Sequence, residues 1–267
     1  MDVVQAIILA VIQGLTEFLP VSSSAHLILP SQVLGWPDQG AAFDVAVHLG
    51  TLVAVVTYFF ADIRRVVVGF FTGIQQGKLN ADVQLGINIV IATIPAVIIG
   101  GLFNGFIETN LRSSFVIACT TIIFGLLLWA SEKKGTLSKG EAEITWKIAL
   151  LIGCAQALAL IPGTSRSGIT MTAALFLGFN RSVSARFSML LSIPIILAAG
   201  TLEIFNLIKS TEPTDWQLMG IGIAMSAVSA FLCIHLFLKW LERIGMLPFV
   251  VYRLLLGVTL FALIGLN

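Results

Sequence analysis

Two short polar runs hold most of the side chains capable of chemistry in an otherwise apolar chain: PVSSSAH over 20–26 and PGTSRSGIT over 162–170. Just ahead of the first, Gln13 and Glu17 stand four residues apart, so a helix would carry them on one face. A carboxylate within apolar sequence is costly to bury and marks a functional site by default. Glu17 also precedes the Pro20 break by three residues, which aims it at the same place as the turn. Ser22, Ser23 and Ser24, and in the second run Thr164, Ser165 and Ser167, fall where a following helix would begin. Hydroxyls there cap the free amides of the first turn. Those amides and the positive end of the helix dipole together attract anions. Two such ends meeting would suit phosphate, and Arg166 adds a permanent charge with a forked donor geometry. His26 follows the serines by one helical turn and can transfer protons near neutral pH. These parts fit phosphoryl transfer or hydrolysis, which would use a divalent metal held by Glu17 and phosphate oxygens, a nucleophile and a general acid/base.

The surrounding sequence says where such a site would sit. The chain has 267 residues, is 57% hydrophobic and only 11% charged, with a mean hydropathy of +0.99. A soluble domain carries about 25% charged residues, so most of this chain must face lipid or other buried helices. A net charge of +1 gives no footing for a nucleic-acid partner. Cys119, Cys154 and Cys233 are scattered through apolar runs without metal spacing and read as small hydrophobes. The start of the chain lacks a basic segment, so a cleaved signal peptide is not expected.

Six apolar runs are long enough to cross a bilayer: 43–60, 84–105, 113–130, 187–206, 217–238 and 249–266. Two further stretches, 3–34 and 146–179, are interrupted by the polar runs and read as re-entrant helical hairpins. Aligning Pro20 with Pro162 superposes the two, so the expected fold is an all-α polytopic membrane protein. It is built as an inverted repeat, 1–135 and 140–267, each half supplying one hairpin and three transmembrane helices. Basic residues agree with this layout. Arg64, Arg65, Lys78, Lys133, Lys134, Lys139, Lys147, Arg181, Arg186, Lys239 and Arg243 fall on one side, against Arg112 and Lys209 on the other. The positive-inside rule makes the first side cytoplasmic and puts both termini outside, with the first hairpin entering from outside. His48 and His235 read as packing residues within spans, and Asp44 and Glu203 as hydrated residues near helix ends. Small-residue spacing at Gly101 and Gly105 permits close helix contact and a homodimer.

An inverted repeat with broken helices also builds channels and lipid-carrier transporters or flippases. The unequal loops argue against a symmetric pore, since the first carries Glu17 and His26 and the second Arg166.

The two polar runs resemble the signatures of the bacterial undecaprenyl-diphosphatase family, also called bacitracin resistance proteins. In this chain they stand as Gln13-Gly14-Leu15-Thr16-Glu17, then Pro20 to His26, and Pro162 to Thr170, in the family's order and across a chain of similar length and hydropathy. The resemblance implies hydrolysis of undecaprenyl diphosphate to undecaprenyl phosphate and inorganic phosphate. That reaction recycles the lipid carrier of peptidoglycan synthesis at the outer, periplasmic face of the cytoplasmic membrane, among membrane lipids, and confers bacitracin resistance. It further implies Mg2+ or Ca2+, served by Glu17 with Gln13, and places Arg166 on the diphosphate. Ser23 would be the nucleophile with His26 as its base, or His26 would attack directly. The family's first signature carboxylate is replaced here by Gln13, which leaves Glu17 as the charged metal group.

Overall fold

The computed structural model describes residues 1–76, 80–209 and 215–266; Lys78, one of the basic residues used above, lies outside them. The described residues are almost wholly helical, and six helices among them are long and apolar enough to span a membrane. The protein is therefore a multi-pass membrane protein, and the spans agree in number and order with hydropathy. They are α3 (Gly40–Tyr58), α5 (Ala81–Asn110), α6 (Ser114–Lys134), α9 (Arg181–Lys209), α10 (Trp216–Ile244) and α11 (Leu247–Leu266). Four shorter helices, α1 (Val3–Thr16), α2 (Ser23–Leu34), α7 (Trp146–Ala157) and α8 (Arg166–Phe176), form the two broken segments.

One further element departs from the sequence reading. The stretch after the first span, read as a loop, is the helix α4 (Phe60–Gln76), packed on α5. Its arginines Arg64 and Arg65 lowered the hydropathy, while Val66, Val67, Phe70 and Phe71 meet Val83, Gly86 and Val90 of α5 around an apolar groove. An amphipathic helix of this kind has a polar side and an apolar side, so an averaged index hides it.

Local signals start the elements. Asp2 and Gln5 form a capping box at the head of α1, each side chain bonding the other's backbone amide. Asn80, Ser113, Thr145 and Asp215 each cap a helix through a side-chain oxygen, at the heads of α5, α6, α7 and α10. Helix association in lipid depends on close packing rather than on escape from water, and glycines supply it. Gly14 of α1 and Gly50 of α3 lie against Ser226 and Ser229 of α10, and Gly153 of α7 lies against Ala92 of α5; a Cβ at Gly50 would stand 2.4 Å from the carbonyl of Ile223. Gly50→Val is accordingly expected to lower stability by about 1–3 kcal/mol, read as earlier thermal unfolding in detergent. A Cβ at Gly101 or Gly105, by contrast, would meet nothing within 4 Å among the described residues of the chain.

Two of the basic residues assigned to one side, Arg181 and Arg186, join neighbouring elements through ion pairs. Arg186 bridges Asp62 and Glu141, while Glu132 accepts from Arg181 Nε at 2.7 Å and from the Met246 amide at 2.8 Å. Those contacts tie together α4, α6, α9, the connection around Glu141 and the residue that leads into α11.

Candidate active site

The two broken segments build the site. Gln13 and Glu17 project from the end of α1, and Gln13 Nε2 donates to Glu17 Oε2 at 2.9 Å. Pro20 stops the helix, and Ser22 then takes a left-handed backbone with φ 74°, which no glycine is present to ease. Such a conformation costs roughly 1–3 kcal/mol in a non-glycine residue, and it turns the chain sharply enough to start α2 at Ser23. The second segment repeats the manoeuvre. After a short 3-10 turn, Pro162 and Gly163 lead to Ser165 with φ 70°, and α8 starts at Arg166.

This geometry shifts the sequence alignment of the two turns by one residue. Ser22 corresponds to Ser165, not to Thr164, because the second turn is one residue longer after its proline. Ser23 and Arg166 therefore hold equivalent positions at the first residue of each half-helix, and both reach Glu17. Ser23 Oγ donates to Oε2 at 3.0 Å, and Arg166 Nη2 donates to Oε1 at 3.0 Å. Ser24 and Ser167, next along, each bond the other turn: Ser24 Oγ accepts from the Gly163 amide at 3.3 Å, and Ser167 Oγ donates to the Leu19 carbonyl at 2.8 Å. Arg166 is fixed further by the Ser188 carbonyl, 3.0 Å from Nη1, and by the ring of Phe18 against its guanidinium.

Glu17, Ser22, Ser23, Ser24, Ser165 and Arg166 line a cavity of about 810 Å³. Its polar floor is this cluster, and its walls include Leu27, Val45, Ala96, Ile117 and Ile196, so the cavity suits a molecule with a charged head and an apolar body. The side chain of Ser22 makes no cap bond to the amides of α2, whereas Ser165 Oγ caps the Gly168 amide at 3.1 Å. The head of α2 is thus the more open of the two anion-attracting helix ends.

Four of the expected site residues stand off the lining of the cavity. His26 does not line the cavity, and among the described residues its ring makes no hydrogen bond to Ser23. Its ring folds back along α2 so that Nδ1 meets the Ser22 carbonyl at 2.7 Å, while Nε2 meets the Tyr252 hydroxyl at 2.6 Å and the two rings stack. The group on the Ser23 hydroxyl is Glu17. Thr164 and Ser167 also lie off the cavity: Thr164 is fully buried, and Ser167 is committed to the first turn. Gln13 is fully buried and bonded to Glu17, and among the described residues its Oε1 has no hydrogen-bond partner.

Sequence reasoning missed four others. His48, taken as a packing residue, lines the cavity with Nε2 3.9 Å from Glu17 Oε2, and its Nδ1 is held by the Asp44 carbonyl at 2.7 Å. Asp44 lines the same cavity, and the four-residue spacing of Asp44 and His48 already put both on one face of α3. Tyr252 escaped notice as an aromatic residue in a span. Arg253 carries a signal in the sequence, a charge inside the apolar run 249–266, which marks a functional candidate by default.

Comparison with known proteins gives the same reading over nearly the whole chain. Residues 6–259 match the family described as bacitracin resistance protein BacA. An undecaprenyl-diphosphatase of Alcanivorax borkumensis is 59% identical over 260 residues, covering 97% of this chain and 98% of that one. One from Teredinibacter turnerae is 56% identical over 261 residues, covering 98% and 99%. Undecaprenyl-diphosphatase 2 of Stutzerimonas stutzeri is 56% identical over 266 residues, covering 98% of each. With both polar turns meeting at Glu17 and this similarity running from end to end, the chain belongs to the BacA family of bacitracin resistance proteins.

Proposed function

We propose that this protein hydrolyses undecaprenyl diphosphate to undecaprenyl phosphate and inorganic phosphate, recycling the lipid carrier of peptidoglycan synthesis and conferring bacitracin resistance. The observation that carries the reading is the clasp of Ser23 and Arg166 on the two oxygens of Glu17 at the floor of an amphipathic cavity. Arg166 and the open amides of α2 hold the terminal phosphate, where their charge meets the charge that develops on its oxygens. Ser23 Oγ attacks that phosphorus as its proton passes to Glu17 Oε2, and the bond to the bridging oxygen of the lipid phosphate breaks. Water then attacks the phosphoserine. Ser23 Oγ leaves with the proton that Glu17 held, and both protons of the water depart with the released phosphate. His26 serves this arrangement by holding the Ser22 carbonyl, and so the head of α2.

A Mg2+ or Ca2+ ion fits the same corner. Among the described residues no three His, Cys, Asp or Glu side chains gather as a self-sufficient site. Magnesium nonetheless binds commonly through one or two protein oxygens completed by substrate phosphate and water. Glu17 would supply one such oxygen, and Gln13, whose Nε2 now meets Glu17, a second once its amide turned Oε1 toward the same side. The ion would polarise the phosphate oxygens.

The orientation belongs to the proposal as well. The basic end of the bundle faces the cytoplasm of a bacterial inner membrane, and each half inverts the other. Asp38, Arg112 and Glu203, which also line the cavity, then lie toward the periplasm with both termini, and the substrate reaches the site from that face.

Purified protein in detergent, where no gradient exists, is expected to release phosphate from undecaprenyl diphosphate; a transporter would release none. Chelation is expected to abolish release, and added Mg2+ or Ca2+ to restore it; turnover indifferent to chelator would remove the ion. Quenching during turnover and mapping the phosphate by mass spectrometry is expected to find it on Ser23, and phosphohistidine at His26 would overturn the serine route.

A further inference from the structure

Arg253, on α11, has no exposed surface, and its hydrogen bonds go to backbone carbonyls. Nε donates to Thr121 at 3.0 Å, and Nη2 to Gly163 at 2.9 Å and Thr164 at 3.0 Å. Longer contacts reach Pro20 through Nη1 at 3.4 Å and Thr120 through Nη2 at 3.5 Å. Pro20 belongs to the first turn, Gly163 and Thr164 to the second, and Thr120 and Thr121 to α6. Among the described residues no carboxylate stands within ion-pair distance of this guanidinium. Room for it is made by glycine: a Cβ on Gly168 would lie 2.9 Å from Nη1, and one on Gly125 would lie 3.2 Å from Arg253 Cβ.

We propose that Arg253 is a positioning residue that staples both polar turns to α6 and so keeps Ser23 and Arg166 in register on Glu17. A guanidinium carries five N–H donors in a fixed plane, enough to hold carbonyls from separate segments at once. A lysine presents its donors from one point and cannot span the same set. Arg253 does not line the cavity, so it acts through the turns and not on the substrate. The register matters because Ser23 and Arg166 come from opposite halves of the chain and must close on one phosphate. A misplacement of about 1 Å in such an arrangement costs roughly 10²-fold in rate.

The kinetic arm of this proposal rests on the phosphatase reading; its structural arm does not. Arg253→Met and Arg253→Lys, purified in detergent, are compared with the unaltered protein by hydrogen–deuterium exchange. Peptides covering 18–26 and 161–168 are expected to exchange faster in both variants, with the α3–α10 contact unchanged. In turnover, Arg253→Met is expected to lower kcat by about 10²-fold with KM within about threefold, and Arg253→Lys to fall between. Gly168→Ala crowds Nη1 while leaving the charge, and is expected to give the same split in weaker form should Arg253→Met fail to accumulate. Unchanged exchange in either turn overturns the staple whatever the activity. Faster exchange with unaltered kcat, or a loss confined to KM, overturns the positioning role. If the unaltered protein itself releases no phosphate, the phosphatase reading fails while the exchange result still decides on the staple.

Discussion

Glu17→Gln lowers kcat by about 10⁴-fold, the largest effect expected from a single substitution in this protein. The amide keeps the volume but removes the charge that Ser23 and Arg166 share. Ser23 loses the acceptor for its proton, and Arg166 is left as a buried cation without its carboxylate, so one change disables both halves of the clasp. Burying an unpaired charge is itself expensive, by about 3–5 kcal/mol when one partner of a buried pair is removed. Part of the effect should therefore appear as lower thermal stability in detergent. Single-turnover phosphate release from folded protein separates the two. A decline of less than about tenfold would show that Glu17 neither takes the Ser23 proton nor organises Arg166.

Arg166→Lys is the second, with a fall of roughly 10³-fold in kcat. The arginine uses one terminal nitrogen on the Ser188 carbonyl and the other on Glu17 Oε1, lies over Phe18, and still faces the cavity. Lysine keeps the charge but cannot divide it among those partners and a phosphate. The loss should be larger for a pentavalent phosphate mimic such as vanadate than for product phosphate, because the forked donors act on charge that grows during transfer. Equal losses for both ligands would reduce Arg166 to a ground-state binder.

How far the sequence led depended on whether a residue's partners were local. The six spans are written in runs of apolar residues, and Pro20 and Pro162 announce the breaks. Glu17, Ser23 and Arg166 were legible because polar groups in apolar sequence are costly and must have a reason to be there. The orientation of His26 was not legible, since its ring answers to Tyr252 on the last helix and to a carbonyl of its own turn. The resemblance implies a dyad with Ser23, whereas in the structure the ring bonds the Ser22 carbonyl and the Tyr252 hydroxyl. The register between the turns was misread for a related reason: aligning prolines ignores the extra residue that Gly163 accommodates, and only the left-handed backbones of Ser22 and Ser165 reveal the equivalence. His48 is legible only together with Asp44, one helical turn earlier on the same face. Helix α4 was lost to averaging.

The clasp joins residues separated by 149 positions, which has a consequence for how the protein is made. At about 5–20 residues per second, roughly 7 to 30 s of translation separate the appearance of Glu17 from that of Arg166. Throughout that interval the first hairpin carries a carboxylate without its counter-charge and a turn without the backbone that braces it. A nascent chain stopped before residue 166 is thus a natural target for membrane quality control. Separately encoded halves, 1–135 and 140–267, are each expected to be inert and short-lived, and to regain turnover when produced together.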